Sequence, residues 1–212
     1  MVAYCGRFIL NLTSLTAPLR ELTKANTLWE WTSTQDAAFQ ATKHAFSADT
    51  TLVYFNPSKD TEISVDASPV GLGAVLSQKG DDGAWAPVAY ASRALTVTEQ
   101  RYSHIEKEAI AIHSGCRNSH LSIYSHPFVV HTDHKPLIPL FNKSASQPPP
   151  RIKKWILQLQ EYQFSVVYRP GAQNPADYLS RHARPVTPHE EEEAEAVEEY
   201  VRLERFRPPR CP

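Results

Sequence analysis

The sequence predicts an α/β fold, a mixed five-stranded sheet with flanking helices, preceded by a small N-terminal helical subdomain. Two observations carry this. Five short stretches, around residues 62–66, 71–76, 85–92, 127–133 and 164–168, alternate or run apolar at strand length, and between and after them apolar residues recur at helical spacing. The order is three strands, helix, strand, helix, strand and a short terminal helix, which suits a sheet with helices packed on it. With 42% hydrophobic and 10% aromatic residues among 212, the chain can bury a core and is not compositionally disordered.

Residues 1–60 read as helical and then extended. Thr32-Ser33-Thr34-Gln35 fits a capping box, and Ala38, Phe39, Ala41, Ala45 and Phe46 follow at helical spacing, with Trp29 and Trp31 at the helix entrance. From residue 61 the pattern becomes that of strands. In Glu62-Ile63-Ser64-Val65-Asp66, Ile63 and Val65 share one face while Ser64 and Asp66 share the other. Gly71–Leu76 is a second strand, Gly80-Asp81-Asp82-Gly83 a turn, and Trp85–Ser92 a third strand, forming an antiparallel meander. Thr96-Val97-Thr98-Glu99 reads as a capping box opening a helix that runs past Cys116. A fourth strand covers 127–133. After the triple proline, Ile152, Trp155, Ile156 and Leu159 mark one stripe of a helix, and Phe164–Tyr168 is the fifth strand, ended by Pro170-Gly171. The expected domains are 1–60, 61–184 and an acidic, proline-rich linker at 185–212, with a partly helical tail as the alternative.

Charge is unevenly spread. The net charge is −1, yet eight glutamates and four arginines lie from Glu190 onward, leaving a weakly basic body compatible with phosphate binding. Three distant cysteines, Cys5, Cys116 and Cys211, form neither a disulfide framework nor a zinc pattern and suit a reducing compartment. No apolar run approaches the ~18 residues of a membrane span, and no signal-peptide organisation opens the chain.

Several acids stand where solvation alone would not place them. Asp66 and Asp133 end apolar strands. On the helix, Ile105, Ala109, Ile112 and Cys116 form one stripe; Glu108 lies about 65–70° from its centre and Glu106 about 80–85° on the other side, a slight preference for Glu108. Converging carboxylates suit hard cations such as Mg²⁺, and a pair of ions roughly 4 Å apart can activate water and stabilise a leaving oxygen. The alternative for each acid taken alone is a solvated carboxylate at an element end.

Ser64–Ser68 with Gly71–Leu76, Tyr102-Ser103 with Glu106–Ile112, His131-Thr132-Asp133-His134-Lys135-Pro136-Leu137, and Asn174-Pro175-Ala176-Asp177-Tyr178-Leu179-Ser180-Arg181 resemble, in order, the segments of the ribonuclease H domain of gypsy-type LTR retrotransposons. Tyr4–Ile9, Ala17-Pro18-Leu19 and Trp31 are similar to the end of the reverse transcriptase that precedes that domain. The resemblance covers residues 1–182. It implies a ribonuclease H-like fold, hydrolysis of the RNA strand of RNA–DNA hybrids, two Mg²⁺ or Mn²⁺ ions, and a four-acid site of Asp66, Glu108, Asp133 and Asp177. Asp66 and Asp133 would contact the metals most directly. It also implies the remainder of a polyprotein as partner and a cytoplasmic virus-like particle, or the nucleus, as location.

Two departures stand out. Pro175 alone separates Asn174 from Ala176-Asp177 where the family usually has two residues, which predicts a displaced Asp177. Gly115 falls inside a helix, at a cost of about 1 kcal/mol against Ala, and is compatible with drift in a decaying copy. Lys135, Lys143, Arg151, Lys153 and Lys154 are candidates for phosphate contacts, with an ordinary solvated face as the even alternative. His131 and His134 bracket Asp133 and read as structural or substrate-side groups. The only Asp-Asp pair, Asp81-Asp82, sits in a turn, so no polymerase site is expected in this chain, nor a zinc module. A catalytically silent, fold-keeping or nucleic-acid-binding copy is the rival reading to an active nuclease.

Overall fold

The structure, a computed structural model, describes residues 15–23, 28–47, 53–143 and 146–205. The resemblance at Tyr4–Ile9 and the cysteines Cys5 and Cys211 lie outside them.

Two helices, α1 (Ala17–Glu21) and α2 (Ser33–Ser47), open the described chain. The Thr32 amide donates to Gln35 Oε1 at 3.1 Å as the capping pattern requires, and the Trp31 and Phe39 rings meet edge to face 6.1 Å apart.

The sheet follows. Strands β1 (Thr61–Ala67), β2 (Gly71–Lys79), β3 (Trp85–Ala94), β4 (Phe128–Thr132) and β5 (Phe164–Tyr168) lie in the order β3-β2-β1-β4-β5. The first three form the expected antiparallel meander, turned at Gly80–Gly83, where Gly83 takes a φ of +82° that suits a residue without Cβ. β4 and β5 are parallel to β1 and to each other, so the sheet is mixed. Ser64 pairs with His131 across β1 and β4. Two residues further on, in step, come Asp66 and Asp133, at the carboxyl ends of neighbouring parallel strands.

One face of β1 buries Ile63 and Val65 beneath helix α3 (His104–Asn118). The helix begins later than expected. Thr96 and Glu99 do cap each other (Thr96 N to Glu99 Oε2 2.9 Å, Glu99 N to Thr96 Oγ1 3.1 Å), but they close only a three-residue 3-10 turn. The reason is that the buried Glu99 carboxylate is also held by two Arg93 nitrogens at 2.7 and 2.8 Å, which ties the turn to β3. Tyr102 then extends (ψ 148°), and a second box, Ser103 with Glu106, opens α3. Gly115 has a packing role that its helix propensity hides. A Cβ there would lie 2.9 Å from Val65 Cγ1 and 3.2 Å from Ala74 Cβ, so the glycine is where α3 touches the sheet.

Short α4 (His120–Ile123) and α5 (Leu137–Asn142) flank β4. Helix α6 (Pro150–Gln158) starts on the last of the three prolines, the position where a missing N–H costs nothing, and buries Ile152 and Trp155, with Leu159 at its C-cap. Helix α7 (Asp177–Arg181) lies across β1 and β2.

The stretch expected as a linker forms the longest described helix, α8 (Pro188–Arg205), packed on α6. Thr187 and Glu190 cap its start: the Thr187 amide donates to Glu190 Oε2 at 2.8 Å. Ala194, Val197 and Val201 are buried, and Val197 belongs to the main core. Their 3–4 residue spacing is an apolar stripe that the acidic composition masks. At the other boundary the body reaches back past residue 61, since Asn56 and Gln78 exchange hydrogen bonds at 2.8 Å in both directions.

Candidate metal centre

Asp66 at the end of β1, Glu108 on α3 and Asp133 just after β4 converge, each offering a carboxylate oxygen within 4.8 Å of the others. Parallel pairing of β1 and β4 sets the two aspartates side by side. Glu108 reaches them because it lies one turn inside α3 on the flank turned to the strand ends. Glu106, its near rival by angle, instead caps the helix and binds Arg151 at 2.8 Å.

The three acids sit in an unfavourable field. Asp66 and Glu108 are buried, and Glu108 Oε2 has no hydrogen-bond partner. Burial, together with the Asp66 and Asp133 charges, pushes the Glu108 carboxyl up to about 9. Burial also raises Asp66; the Ser180 hydroxyl opposes this, while Asp133 and Asp177 add to it. An all-oxygen set with an orphaned buried oxygen fits a hard divalent cation, which would relieve both the repulsion and the missing bond.

Asp177, the fourth acid implied by the resemblance, stands apart from this group. It opens α7 with its side chain 43% exposed, and Arg181 binds both its oxygens, Nη2 to Oδ1 at 2.7 Å and Nε to each at 3.1 Å. The short closing motif is held by Asn174, whose Nδ2 donates to Val65 O at 2.8 Å while Oδ1 accepts from the Ala176 amide at 3.1 Å. Gly171 packs against the centre, since a Cβ there would meet Asp133 Oδ2 at 2.9 Å.

The basic candidates are mostly engaged within the chain. Arg151 binds Glu106 and, through two nitrogens, Glu198 of α8, and its guanidinium lies 4.7 Å from the Tyr102 ring centre. Lys153 pairs with Glu204 at 3.2 Å, and Lys154 Nζ lies 5.0 Å from the Tyr200 ring. The face of α6 expected to meet phosphates therefore meets the acidic helix α8. Lys135 stands 4.5 Å over the Tyr168 ring beside β5, and Lys143 is exposed at the end of α5.

Of the histidines bracketing Asp133, His131 pairs with Glu62 at 3.1 Å, where Arg169 also binds at 2.9 Å. Burial alone would raise the Glu62 carboxyl, but His131 and Arg169 outweigh it and hold it below its ordinary value. The His134 ring lies tilted against that of His104, ring centres 5.0 Å apart, and His104 Nε2 is 4.0 Å from Glu108 Oε1. Sequence reasoning missed Asn174, Gly171 and Ser180 as the groups that frame the acids. For Asn174 and Ser180 the signal was present only as membership of a motif, because hydrogen bonds across more than a hundred residues have no local pattern; Gly171 read only as the end of a strand. No helix among the described residues is long and apolar enough to cross a membrane.

Residues 56–162 match the model of the RNase H-like domain found in reverse transcriptase. Among curated proteins, the Transposon Tf2-3 and Tf2-4 polyproteins of Schizosaccharomyces pombe are each 37% identical over 183 residues. These alignments take in 85% of this chain and 14% of each relative, so the chain spans about one seventh of the polyproteins' length. Among solved structures, the foamy viral protease-reverse transcriptase in complex with RNA/DNA hybrid superposes with a TM-score of 0.58 at 19% identity, over 88% of this chain and 25% of that one. The same enzyme in complex with dsDNA gives 0.57 at 20% identity, over 80% and 36%. At those identities the likeness speaks for the fold alone: a mixed five-stranded sheet with flanking helices. The carboxylate centre thus sits in the fold to which the sequence match points, and the chain belongs to the RNase H-like domains found in reverse transcriptases.

Proposed function

We propose that this domain hydrolyses the RNA strand of RNA–DNA hybrids, as part of a gypsy-type LTR-retrotransposon reverse transcriptase polyprotein. The observation that carries the reading is the convergence of Asp66, Glu108 and Asp133, two of them buried, with a Glu108 oxygen left without a partner. Burial and mutual repulsion disfavour the ionised forms of Asp66 and Glu108, and an external cation would relieve both. Asp66 and Asp133 would hold Mg²⁺ or Mn²⁺ most directly, with Glu108 completing the set and Asp177 at the periphery. Bound there, two such ions would supply an activated water and charge stabilisation at the departing oxygen.

The chain's own contribution is placement. β1 and β4 fix the two aspartates, α3 brings Glu108 to them, and Asn174 and Gly171 pack the closing loop against the centre. Lys135 and Lys143, outside the α8 contact, are the remaining candidates for phosphate contacts. In the cell the polyprotein would act in cytoplasmic virus-like particles, with the nucleus as the alternative. Cleavage of a labelled RNA–DNA hybrid, with Mg²⁺ and with excess EDTA, tests the reading; equal cutting in EDTA would remove it. The Asp177–Arg181 pairing favours a second reading, a domain that binds nucleic acid without cutting it, for which the same gel would show hybrid retention and no product.

A further inference from the structure

The Ser180 hydroxyl lies 2.6 Å from Asp66 Oδ2, and both groups are buried, Ser180 with no exposed surface. The same oxygen is 3.0 Å from the Asp177 carbonyl, the ordinary back-bond of a serine within a helix. A hydroxyl has one proton to donate, and a carboxylate at 2.6 Å is the stronger acceptor than a carbonyl at 3.0 Å. The bond to Asp66 is therefore the one formed whenever that acid is ionised.

The surroundings hold Ser180 in place independently of this bond. Its carbonyl accepts from Ser68 Oγ at 2.8 Å, and Asn174 ties the start of α7 to the Val65 carbonyl of β1. Gly73 lets the helix approach this closely, since a Cβ there would fall 2.6 Å from the Ser180 amide and 2.5 Å from the Ala176 carbonyl. The hydroxyl thus projects from a backbone anchored to the strand that carries Asp66.

We propose that Ser180 is a positioning residue for the metal centre: it fixes one Asp66 oxygen so that the carboxylate is held in ligating orientation before any cation arrives. A buried carboxylate that must be oriented on binding loses affinity by the ordering it undergoes, and a preset one does not. This assignment rests on the metal-binding reading above.

The test is Mn²⁺ binding to the full 212-residue chain, without nucleic acid, followed by electron paramagnetic resonance, alongside the melting temperature in EDTA. Ser180→Ala should bind Mn²⁺ on the order of tenfold more weakly, the scale of one hydrogen bond to a charged group. Its metal-free melting temperature should fall by on the order of 5 °C, the scale of the one buried hydrogen bond lost, with the fold retained. A purely structural serine would lower the melting temperature and leave the affinity of the folded protein alone, and that result overturns the assignment. Should the alanine variant fail to fold, Ser180→Cys takes its place, keeping the packing with a weaker donor: reduced affinity supports the role, and parental affinity overturns it. If the parent chain shows no saturable Mn²⁺ binding, the metal reading itself falls and the role of Ser180 with it, an outcome distinct from parental affinity in the variant.

Discussion

Arg151 on α6 grips Glu198 on α8 with two nitrogens, Nε to Oε1 at 2.7 Å and Nη2 to Oε2 at 3.0 Å, so the acidic C-terminal helix is docked on the body rather than trailing from it. The pair is only part of the contact. Ala194, Val197 and Val201 bury their side chains in the same seam, and Lys153 adds Glu204.

Removal of residues 185–212 is therefore expected to destabilise the domain, contrary to what a linker would give. Two valines and an alanine returned to water amount to about 3–5 kcal/mol, a fall on the order of 10 °C in melting temperature for a domain of this size. The ion pairs, whose side chains still reach solvent, contribute little beyond this, about 0–1 kcal/mol each. Thermal melts of full and truncated chains check it, and an unchanged midpoint would mean that α8 does not hold its place.

The Glu108 contribution to metal-free stability should fall as pH rises from about 4.5 to about 9. The Glu108 carboxyl is raised to about 9 in the fold from an ordinary 4.5, so between these values the folded chain binds more protons than the unfolded one. On the acid side His113 acts the other way. Burial, with Arg117 and Arg93 nearby, lowers it to about 3 from 6.5, so its contribution is present above 6.5 and lost as pH falls towards 3. Melts in EDTA across this range should show a maximum near mildly acid pH. Glu108→Gln should flatten the alkaline limb, and Mg²⁺ should raise the parent's midpoint more at pH 8 than at pH 5. A limb of equal slope in Glu108→Gln would assign it to other groups.

Asp66→Asn should leave the fold intact and reduce hybrid cleavage by at least about a hundredfold, the loss expected when a group that holds transition-state charge is removed. In EDTA its melting temperature should match or exceed the parent's, because a carboxylate disfavoured by burial and by Asp133 is gone. Parental cleavage by this variant would show that Asp66 holds no cation.

What the sequence made legible was what local pattern records. All five strands, the Asp81-Asp82 turn and the helix after Pro148-Pro149-Pro150 follow from alternation, turn chemistry and apolar stripes. Asp66, Glu108 and Asp133 could be singled out because each breaks an apolar element, although only parallel pairing of β1 with β4 shows that they meet. One reading failed and two were incomplete, for physical reasons. Thr96–Glu99 caps a turn instead of a helix because Arg93 claims the same carboxylate. The seam of α8 was hidden by its glutamates, although Thr187-Pro188-His189-Glu190 and the Ala194, Val197, Val201 spacing both mark a packed helix. Gly115, costly by propensity alone, marks a contact with Val65 that no helical count reveals.

Gly115→Ala follows from that contact. Helix propensity alone would favour alanine by about 1 kcal/mol. The new methyl would fall 2.9 Å from Val65 Cγ1 and 3.2 Å from Ala74 Cβ, both buried beneath α3. Overpacking of this kind costs about 1–3 kcal/mol, so the variant should be less stable than the parent in urea titration. A more stable variant would mean that α3 can lift from the sheet without penalty.

Asp177 should be the least required of the four acids implied by the family resemblance. Asp66, Glu108 and Asp133 face one another within 4.8 Å, whereas Asp177 opens α7 half-exposed with both oxygens taken by Arg181. A carboxylate at a helix N-terminus is favoured by the helix dipole by roughly 0.3–1 kcal/mol, a role that needs no cation. Its influence on the centre is electrostatic: its charge adds to the raising of Asp66, and the Arg181 charge lowers it. Asp177→Asn should thus reduce hybrid cleavage by less than roughly tenfold, the scale of an exposed charge pair, while Asp66→Asn and Asp133→Asn remove nearly all of it. Arg181→Ala tests the arrangement from the other side. It frees both Asp177 oxygens, and if Arg181 is what keeps this acid from the cations, half-maximal activity should then need less Mg²⁺ than in the parent. The measurement is cleavage of one labelled hybrid across a Mg²⁺ titration for all four variants. Equal losses in Asp177→Asn and Asp66→Asn would show that Asp177 leaves Arg181 and joins the centre when cations and substrate are present.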